Sequence, residues 1–433
     1  MSALRKARIA QTALYLGRGQ SPSYVNFETN TFAINQKCIR DGKVDPLFAR
    51  AHDSKVPIKK EVLLQSGDVC INSTGTGTAG RIGLWLHRSG EVYFADSHVT
   101  VFRPKPEVFD SKYLATLLQT HRMQTELETF CFSGSTNQVE LSRSAVLNLE
   151  LRFLPLPEQQ LVAKIFKLID RAIEQTETVI AKQKRIKIGL MQDLLTKGVD
   201  EHGHIRYEAT HEFKDSPLGR IPKEWEVNEL RHHISYISYG FTNPMPEAGD
   251  GPYLVTAINI NDGKILYDTC RRTSIHAFNT LLTNKSRPKL NDLLITKDGS
   301  LGRVAIVDRV PLCINQSIAI MRTNERVEAH FLKLLLESPR YQKTIADDAG
   351  GSTIKHIYIT KIDKMFLGVP RSNDEQKRIL KIIGKYDAVI DAEKIKLSVL
   401  KRTRQGLMQD LLTGNVSVES LIAEQTTIVR ANM

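Results

Sequence analysis

The sequence predicts an α+β protein with a pseudo-twofold internal repeat: two globular domains separated by two long helices that form an antiparallel coiled coil. The segment GLMQDLLT at 189–196 returns unchanged at 406–413. Around it, residues 158–196 and 375–413 share 16 identities in 39 positions, at a constant shift of 217. A repeat of this length indicates that one structural unit is used twice along the chain.

Both copies of the repeat are predicted to be long helices. Their apolar residues step by four and three positions, as in Val162, Phe166 and Ile169 of the first copy. Such a heptad seam is too narrow for burial in a large core and is suited to packing against a second helix. Neither copy contains proline, and about 40 residues at 1.5 Å each make a helix of roughly 60 Å. The alternative is two unrelated surface helices, each packed on its own domain.

The globular parts repeat more faintly. Residues 67–71 (GDVCI), a polar turn and 80–82 (GRI) match 291–295 (NDLLI), a turn and 302–304 (GRV). Residues 96–103 match 315–322, and the letters GST occur at 134–136 and 351–353. The domains have diverged more than the helices. This difference indicates that both helices keep the same role, whereas the two domains perform a related role in different ways.

The repeat divides the chain into six segments. They are a first domain (1–156), a first long helix (157–198), a connector (199–221), a second domain (222–369), a second long helix (370–414) and a C-terminal tail (415–433). Within the domains we predict a short basic helix at Ser2–Leu16 and further helices at Tyr113–Leu127 and Phe331–Ile345. The other runs, broken by Gly, Asn, Asp and Pro, predict short strands.

Composition limits the class of protein. A chain of 433 residues is too long for a single core. Its net charge of +12 and pI near 9.3 favour a polyanionic partner. The five cysteines are far apart and lack C-x-x-C spacing, so we expect reduced thiols. No leader sequence and no long apolar run are present, and the expected location is the cytoplasm, without a membrane partner.

Gly75–Gly80 satisfies the G-x-G-x-x-G pattern of dinucleotide-binding sites. Such a site requires a helix directly after the glycines, where amides and the helix dipole meet the pyrophosphate. Residues 81–87 instead have the pattern of a strand, so we interpret the glycines as a hairpin turn. The pair Arg81-Ile82 stands where a P-loop needs Lys and Ser or Thr. The histidines lack further ligand spacing, and we expect no catalytic residue and no metal site.

A DNA-binding surface needs cations for phosphates and amide or guanidinium groups for base edges. In each domain such residues concentrate at turns beside glycine. The first domain offers Arg81, Ser97, His98, Ser133, Ser135, Thr136, Asn137 and Gln138, and the second offers Lys297, Arg303, Asn315, Gln316, Ser352, Thr353, Lys355 and His356. For any single residue the alternative is a solvated loop. Because the two sets match in position, they favour two related DNA-binding surfaces.

The order of domain, heptad helix, domain and heptad helix resembles the specificity subunit of type I restriction-modification systems. The resemblance rests on the D-[VL]-x-I…G-R-[IV] hairpins, the G-S-T turns and the E-Q helix starts that lead to GLMQDLLT, and it covers 17–413. Many members carry a P-x-x-W-x segment before each domain. Here such a segment, PKEWE at 222–226, precedes only the second domain, so the motif does not define where the first domain begins.

The resemblance implies a DNA-recognition subunit without catalysis of its own. Each target-recognition domain would read one half of a bipartite, asymmetric site in double-stranded DNA, and the coiled coil would set the spacer. Two methyltransferase subunits and restriction/translocase subunits would assemble on the chain. These partners would use S-adenosylmethionine, ATP and magnesium, whereas this chain would bind no cofactor. The alternative from another class is a structural coiled-coil protein with protein-binding globular ends.

A second apolar row runs beside each heptad seam. It consists of Met191 and Leu195 in the first long helix and of Met408 and Leu412 in the second. Methionine and leucine are adaptable anchors at interfaces, and we predict that this row docks a methyltransferase subunit. The alternative is packing on the chain's own domains.

Overall fold

The computed structural model of the chain describes residues 4–86, 90–134, 139–349, 356–414 and 416. The chain divides into two units, of which the first comprises Met1–Glu177 with Ile395–Met433 and the second comprises Thr178–Lys394. Each unit therefore contains one globular domain and a segment of both long helices. The predicted fold class, α+β with a repeated domain and two long helices, is confirmed.

The elements of the first domain are mostly short strands. The strands are β1 (Arg5–Arg8), β2 (Ala13–Arg18), β3 (Thr31–Ile34), β4 (Ile39–Arg40), β5 (Gly42–Val44), β6 (Arg50–Ala51), β7 (Val69–Asn72), β8 (Ile82–Leu84), β9 (Val92–Ala95), β10 (Val99–Pro104), β11 (Phe132–Ser133), β12 (Glu140–Leu141) and β13 (Glu150–Phe153). The helices are α1 (Ile9–Thr12), α2 (Ser111–Leu118), α3 (His121–Phe130) and α4 (Arg143–Asn148), followed by the first long helix, α5 (Leu156–Lys197).

A six-stranded sheet in the order β2-β10-β7-β8-β5-β4 forms the centre of the first domain. All four residues of β7 are buried, which agrees with the apolar run that predicted this strand. Helix α2 packs against β7 and β8, and it begins where the Asp110 side chain accepts hydrogen bonds from the amides of Lys112 and Tyr113. The remaining strands of the domain form a three-stranded sheet, β6-β3-β9, and two two-stranded sheets, β1-β13 and β11-β12.

The second domain repeats this construction. Its strands are β14 (Phe213–Lys214), β15 (Ile221–Pro222), β16 (Trp225–Glu229), β17 (Ile234–Tyr239), β18 (Ala248–Val255), β19 (Ile260–Asn261), β20 (Lys264–Ile265), β21 (Arg271–Arg272), β22 (Leu293–Thr296), β23 (Val304–Ile306), β24 (Leu312–Ile314), β25 (Ile318–Thr323) and β26 (Phe366–Pro370). The helices are α6 (Ile275–Leu281), α7 (Ala329–Glu337), α8 (Pro339–Asp347), α9 (Ile359–Ile362) and the second long helix, α10 (Asn373–Leu412). The sheet order β17-β25-β22-β23 corresponds to β2-β10-β7-β8 of the first domain.

The two long helices pair antiparallel within each unit. In the first unit Arg404 Nε donates to Asp170 Oδ1 at 2.7 Å, and Lys401 Nζ lies 2.8 Å from Glu177 Oε1. From Asp170 to Glu177, later along α5, the partner moves from Arg404 to Lys401, earlier along α10, so the two helices run in opposite directions. In the second unit Lys187 Nζ is 2.5 Å from Asp387 Oδ1, and further along α5 residues from both helices share the apolar core. The predicted antiparallel pairing is confirmed.

A buried glutamine joins each long helix to its own domain. Gln159 Oε1 accepts a hydrogen bond from the amide of Asp110 at 3.0 Å. Its Nε2 donates to the carbonyls of Val108 at 3.0 Å and Leu154 at 2.8 Å. Gln376 forms the matching three bonds with backbone groups of Glu328, Arg326 and Pro370. The repeated E-Q pair at the helix starts therefore has a structural basis in both halves.

Three helix predictions are corrected by the structure. The short basic helix expected at Ser2–Leu16 is wrong for the described residues, because Arg5–Arg8 is strand β1, paired antiparallel with β13, and only Ile9–Thr12 is helical. The helix expected at Tyr113–Leu127 is divided into α2 and α3, since Thr120 caps a new helix by accepting from the amide of Met123.

The helix expected at Phe331–Ile345 is divided in the same way, because α8 begins at Pro339 directly after α7. Proline has no amide hydrogen and is suited to a first helical turn. The interpretation of Gly75–Gly80 as a turn is confirmed: β7 and β8 are antiparallel neighbours, so a strand follows the glycines.

Candidate nucleic-acid interface

In the first domain the loop after β7 meets the loops before β10 and β12. The amide of Ser73 donates to the carbonyl of His98 at 2.8 Å, and the amide of Leu141 donates to the carbonyl of Ser73 at 2.8 Å. Thr74 and Glu140 form an isolated β-bridge. These backbone bonds bring together what we call the first loop cluster: Ser73, Thr74, Ser97, His98 and Glu140.

The second domain builds the same junction. The amide of Lys297 donates to the carbonyl of Ser317 at 2.8 Å, and the amide of Ile357 donates to the carbonyl of Lys297 at 3.0 Å. Asp298 and His356 form the corresponding isolated β-bridge. The second loop cluster is therefore Lys297, Asp298, Gln316, Ser317 and His356, in the same place in the second copy of the fold.

Hydrogen bonds link three side chains at the first loop cluster, those of Gln36, Thr74 and His98, into a chain. Thr74 Oγ1 lies 2.8 Å from His98 Nδ1. Gln36 Nε2 donates to Thr74 Oγ1 at 2.5 Å and to the Thr74 carbonyl at 2.9 Å. His98 is exposed, and its ring is held by the hydrogen bond to Thr74. A ring nitrogen and a carboxamide are groups that can bond base edges.

Charged groups flank this chain. Arg18 pairs with the Glu140 carboxylate and donates to the carbonyl of Ser97. The amide of His98 donates to Asp96 Oδ1 at 2.7 Å, and burial raises the pKa of Asp96 above its ordinary value. The carboxylates of Glu140 and Asp96 therefore each have a hydrogen-bond partner beside the exposed side chains.

The second loop cluster is ionic. Lys297 Nζ lies 3.5 Å from His356 Nε2, 3.6 Å from Asp298 Oδ2 and 5.4 Å from the ring centroid of Tyr239. His356 Nδ1 is hydrogen-bonded to Asp298 Oδ1. Lys297 is only 7% exposed, so this lysine, predicted to contact DNA from a turn, has its ammonium group inside the cluster. Gln316 is the exposed member beside it.

The predicted arginines lie at equivalent hairpin turns. Gly80 and Gly302 donate to the carbonyls of Asn72 and Thr296 at 2.9 and 2.8 Å. Their φ angles of +80° and +74° are ones that glycine adopts without a Cβ clash. The next residue is exposed in both copies: Arg81 Nη2 donates to the carbonyl of Gly77 at 3.1 Å, and Arg303 Nη1 donates to that of Ile260 at 3.0 Å.

Several predicted residues are not part of these clusters as described. Six residues on or beside the G-S-T turns lie outside the described residues: Ser135, Thr136, Asn137, Gln138, Ser352 and Thr353, together with Lys355. Ser133 lies in β11, paired with Glu140 of β12. Asn315 Oδ1 accepts from the amide and hydroxyl of Ser317 at 3.2 and 2.6 Å, which shapes the loop that carries Gln316.

The second apolar row is mostly inside the units. Met191 is 4% exposed in the core of the second unit, and Leu412 is 3% exposed in that of the first. Packing on the chain's own domains, the alternative interpretation, therefore accounts for these two residues, because a buried side chain cannot anchor a partner. Leu195 and Met408 are partly buried against the same cores, and for them partner docking stays a prediction.

Sequence reasoning missed members and neighbours of both clusters: Ser73, Thr74, Glu140, Asp298 and Ser317, with the neighbours Gln36 and Arg18. Gln36 lies in a short helical turn, Gln36–Cys38, and Arg18 ends strand β2, and no spacing pattern indicated them. Asp298 lies within the repeated hairpin and Glu140 follows the G-S-T turn, so both could have been found from the repeat. Their position in each β-bridge became evident only in the fold.

The structure thus defines a protein with two copies of one α+β domain, each with a polar loop cluster. The sequence model of the type I restriction modification DNA specificity domain matches residues 23–183 and 222–402. The matches cover more than half of the chain, one in each repeat. The chain belongs to this family.

Several relatives are specificity subunits. The chain is 28% identical over 332 residues to the type I restriction enzyme MjaX specificity subunit of Methanocaldococcus jannaschii, covering 75% of this chain and 72% of the relative. It is 23% identical over 399 residues to the EcoBI specificity subunit of Escherichia coli, covering 85% and 81%. A crystal structure of the type I S subunit from M. genitalium has a TM-score of 0.55 at 14% identity, over 95% of this chain and 96% of that one. That likeness shows the fold.

The described residues contain neither a membrane-spanning helix nor a cluster of metal ligands. No described helix combines the length and the apolar character needed to cross a bilayer. No group of three or more His, Cys, Asp or Glu residues in the described ranges is arranged to hold a metal ion.

Proposed function

We propose that this specificity subunit recognises an asymmetric, bipartite site in double-stranded DNA and performs no chemistry itself. The first domain binds one half of the site with the first loop cluster and Arg81, and the second domain binds the other half with the second loop cluster and Arg303. The paired long helices set the spacer between the halves and dock two methyltransferase subunits.

One observation carries this proposal. The two loop clusters are held by the same backbone hydrogen bonds at the same place in two copies of one fold. Their side chains nevertheless differ: Thr74 corresponds to Asp298, His98 to Ser317 and Glu140 to His356. Base edges present different donor and acceptor patterns, so different side chains on one framework suit two different half-sites.

The rest of the complex follows from the family. The methyltransferase subunits are proposed to use S-adenosylmethionine, and restriction/translocase subunits to use ATP and magnesium, while this chain holds no cofactor. The proposed partner is double-stranded DNA and the proposed location is the cytoplasm. Its net charge of +12 favours association with a polyanion.

The test is a map of methylated bases made by the chain together with its methyltransferase subunits. Replacing Gln36 and His98 with Ala should alter recognition in one half-site only, because both side chains belong to the first domain. Replacing Gln316 with Ala should alter the other half-site only. Changes in both halves from one variant, or in neither from both, contradict the assignment of one half-site to each domain.

The spacer requires a separate test. Adding four helical residues to each long helix, near Thr178 and Ile395, lengthens each by about 6 Å. At ~3.4 Å per base pair, the unread gap should grow by up to about two pairs, with both half-site sequences unchanged. An unchanged gap means that the helices do not set the spacer.

The alternative, a structural coiled-coil protein with protein-binding ends, is not favoured by the family match. Steep weakening of duplex binding with salt and discrimination between sequences are expected of a DNA reader. A structural protein would have neither property.

A further inference from the structure

We propose, on the basis of the function proposed above, that Arg81 and Arg303 contact DNA phosphates in the same way in both half-sites. The residues that differ between the two loop clusters are then the ones that read bases, led by the exposed His98 in the first domain and Gln316 in the second.

The two arginines are equivalent by backbone geometry as well as by sequence. Each follows a glycine with positive φ whose amide closes the same hairpin onto Asn72 or Thr296. Each guanidinium donates one hydrogen bond to a nearby carbonyl, at 3.1 Å for Arg81 and 3.0 Å for Arg303. That bond orients the group, and both side chains remain exposed.

The charge of these arginines is not neutralised within the described part of the chain. Among the described residues neither has a carboxylate within the 4.0 Å that defines a salt bridge. Other arginines of the same domains do: Arg18 pairs with Glu140, and Arg103 pairs with Asp68. An exposed, oriented and unneutralised guanidinium is suited to a phosphate.

Residues that are kept between the two domains can be distinguished from residues that differ, and the first suit phosphate contacts whereas the second suit base contacts. The sugar-phosphate backbone is the same at every sequence, so two domains that read different half-sites can keep one phosphate contact unchanged. Base edges differ, so their readers must diverge. Ser97 corresponds to Gln316 and His98 to Ser317 across the repeat, whereas arginine is kept at 81 and 303.

The experiment measures duplex binding of the full chain with its methyltransferase subunits over a range of salt concentrations. The duplexes carry the recognition site identified by the methylation map, or a variant of it with one base pair changed in either half. Arg81→Gln and Arg303→Gln should each weaken binding to all duplexes by one common factor and reduce the slope of log K against log salt by about 0.9. Arg81→Lys keeps the charge and should keep the wild-type slope.

His98→Ala should leave the salt slope unchanged and reduce discrimination at a base pair of one half-site by roughly tenfold. Gln316→Ala should do the same in the other half-site. A change of base preference in Arg81→Gln or Arg303→Gln, or a lowered slope in Arg81→Lys, overturns this assignment and leaves half-site reading intact. Absence of salt-dependent binding by the wild-type complex overturns the proposed function itself.

Discussion

The carboxylate of Asp68 accepts two hydrogen bonds from the guanidinium of Arg103, one from Nε and one from Nη2, both at 2.8 Å. Asp292 and Arg322 form the same two bonds in the second domain, both at 2.7 Å. Each pair joins the residue before a buried strand to the neighbouring strand of the same sheet. The aspartate and the arginine were parts of the two sequence motifs that repeat between the domains.

Replacing Asp68 with Ala should destabilise the chain more than replacing Asp292 with Ala. The Arg103 side chain is 15% exposed and that of Arg322 is 32% exposed, so solvent compensates the second arginine better once its partner is lost. An uncompensated buried charge costs about 3–5 kcal/mol, which sets the loss expected for Asp68→Ala. Urea denaturation measures both variants. Equal losses of stability in the two variants would contradict the role assigned to the solvent exposure of the arginine side chains.

The glutamates at the helix starts should differ in their effect on stability. Glu375 accepts hydrogen bonds from both terminal nitrogens of Arg206, from Trp225 Nε1 and from the amide of Val199. Glu158 is its counterpart, and its buried Oε2 has no hydrogen-bond partner among the described residues. Glu375→Gln should cost about 3–5 kcal/mol, because it leaves the buried Arg206 charge unpaired.

Glu158→Gln serves as the matched control for that measurement. It removes a charge without removing a described hydrogen bond to Oε2, so its effect on the free energy of unfolding should stay within about 0.5 kcal/mol. A large loss from Glu158→Gln would show that the two helix starts are equivalent in energy.

Stability should decrease in mild acid because of His233. Its side chain is buried, and neither ring nitrogen has a hydrogen-bond partner among the described residues. Burial, together with the charges of Arg326 and His232, lowers the pKa of His233 below 6.5. Below pH 6.5 the unfolded chain therefore binds a proton that the folded chain resists. The contribution of the neutral imidazole is present above this pH and is lost as the pH falls towards the folded pKa.

His233→Leu should remove this part of the pH dependence. The measurement is the urea midpoint at pH 7.5 and at pH 5.5, for the wild type and the variant. His202→Ala, at a side chain that is 71% exposed, should leave the difference between the two midpoints as in the wild type. An unchanged difference in His233→Leu would assign the acid sensitivity to other groups.

Met191→Ser should act on folding, and Leu195→Ser should act mainly on assembly. Truncating a buried methionine costs about 2–5 kcal/mol, whereas the partly buried Leu195 leaves a smaller cavity. Thermal unfolding of the isolated chain measures the first effect. Copurification with a methyltransferase subunit measures the second, and full retention of the subunit by Leu195→Ser would remove Leu195 from the docking surface.

The sequence alone predicted the parts of the fold that local patterns encode. The heptad seams predicted α5 and α10, and their repetition predicted that the two helices pair with each other, whereas the antiparallel direction was implied by the family resemblance. The hairpin at β7 and β8 followed from a short apolar run, the glycine-rich turn after it and a second strand-like run. Strand β1 was missed because its partner, β13, lies far along the chain, and exposed basic residues are compatible with a helix or an edge strand.

The candidate site was predicted only in outline for the same reason. Turns beside glycine indicated where Arg81, His98 and Gln316 would lie. The pairing of Arg18 with Glu140 joins positions 122 residues apart, and no local pattern encodes such a contact. The buried Lys297 lies beside Tyr239 at the end of β17 and beside His356, and both are distant from it in the sequence.

The hydrogen bonds of the Gln159 carboxamide fix the start of α5 to the first domain. A tilt of the helix at this point must break bonds to Asp110, Val108 and Leu154 together. We therefore expect the domain and the first turns of its helix to move as one rigid body, so that a force on the helix rotates the globular domain with it. Gln376 fixes the start of α10 to the second domain with the same three hydrogen bonds.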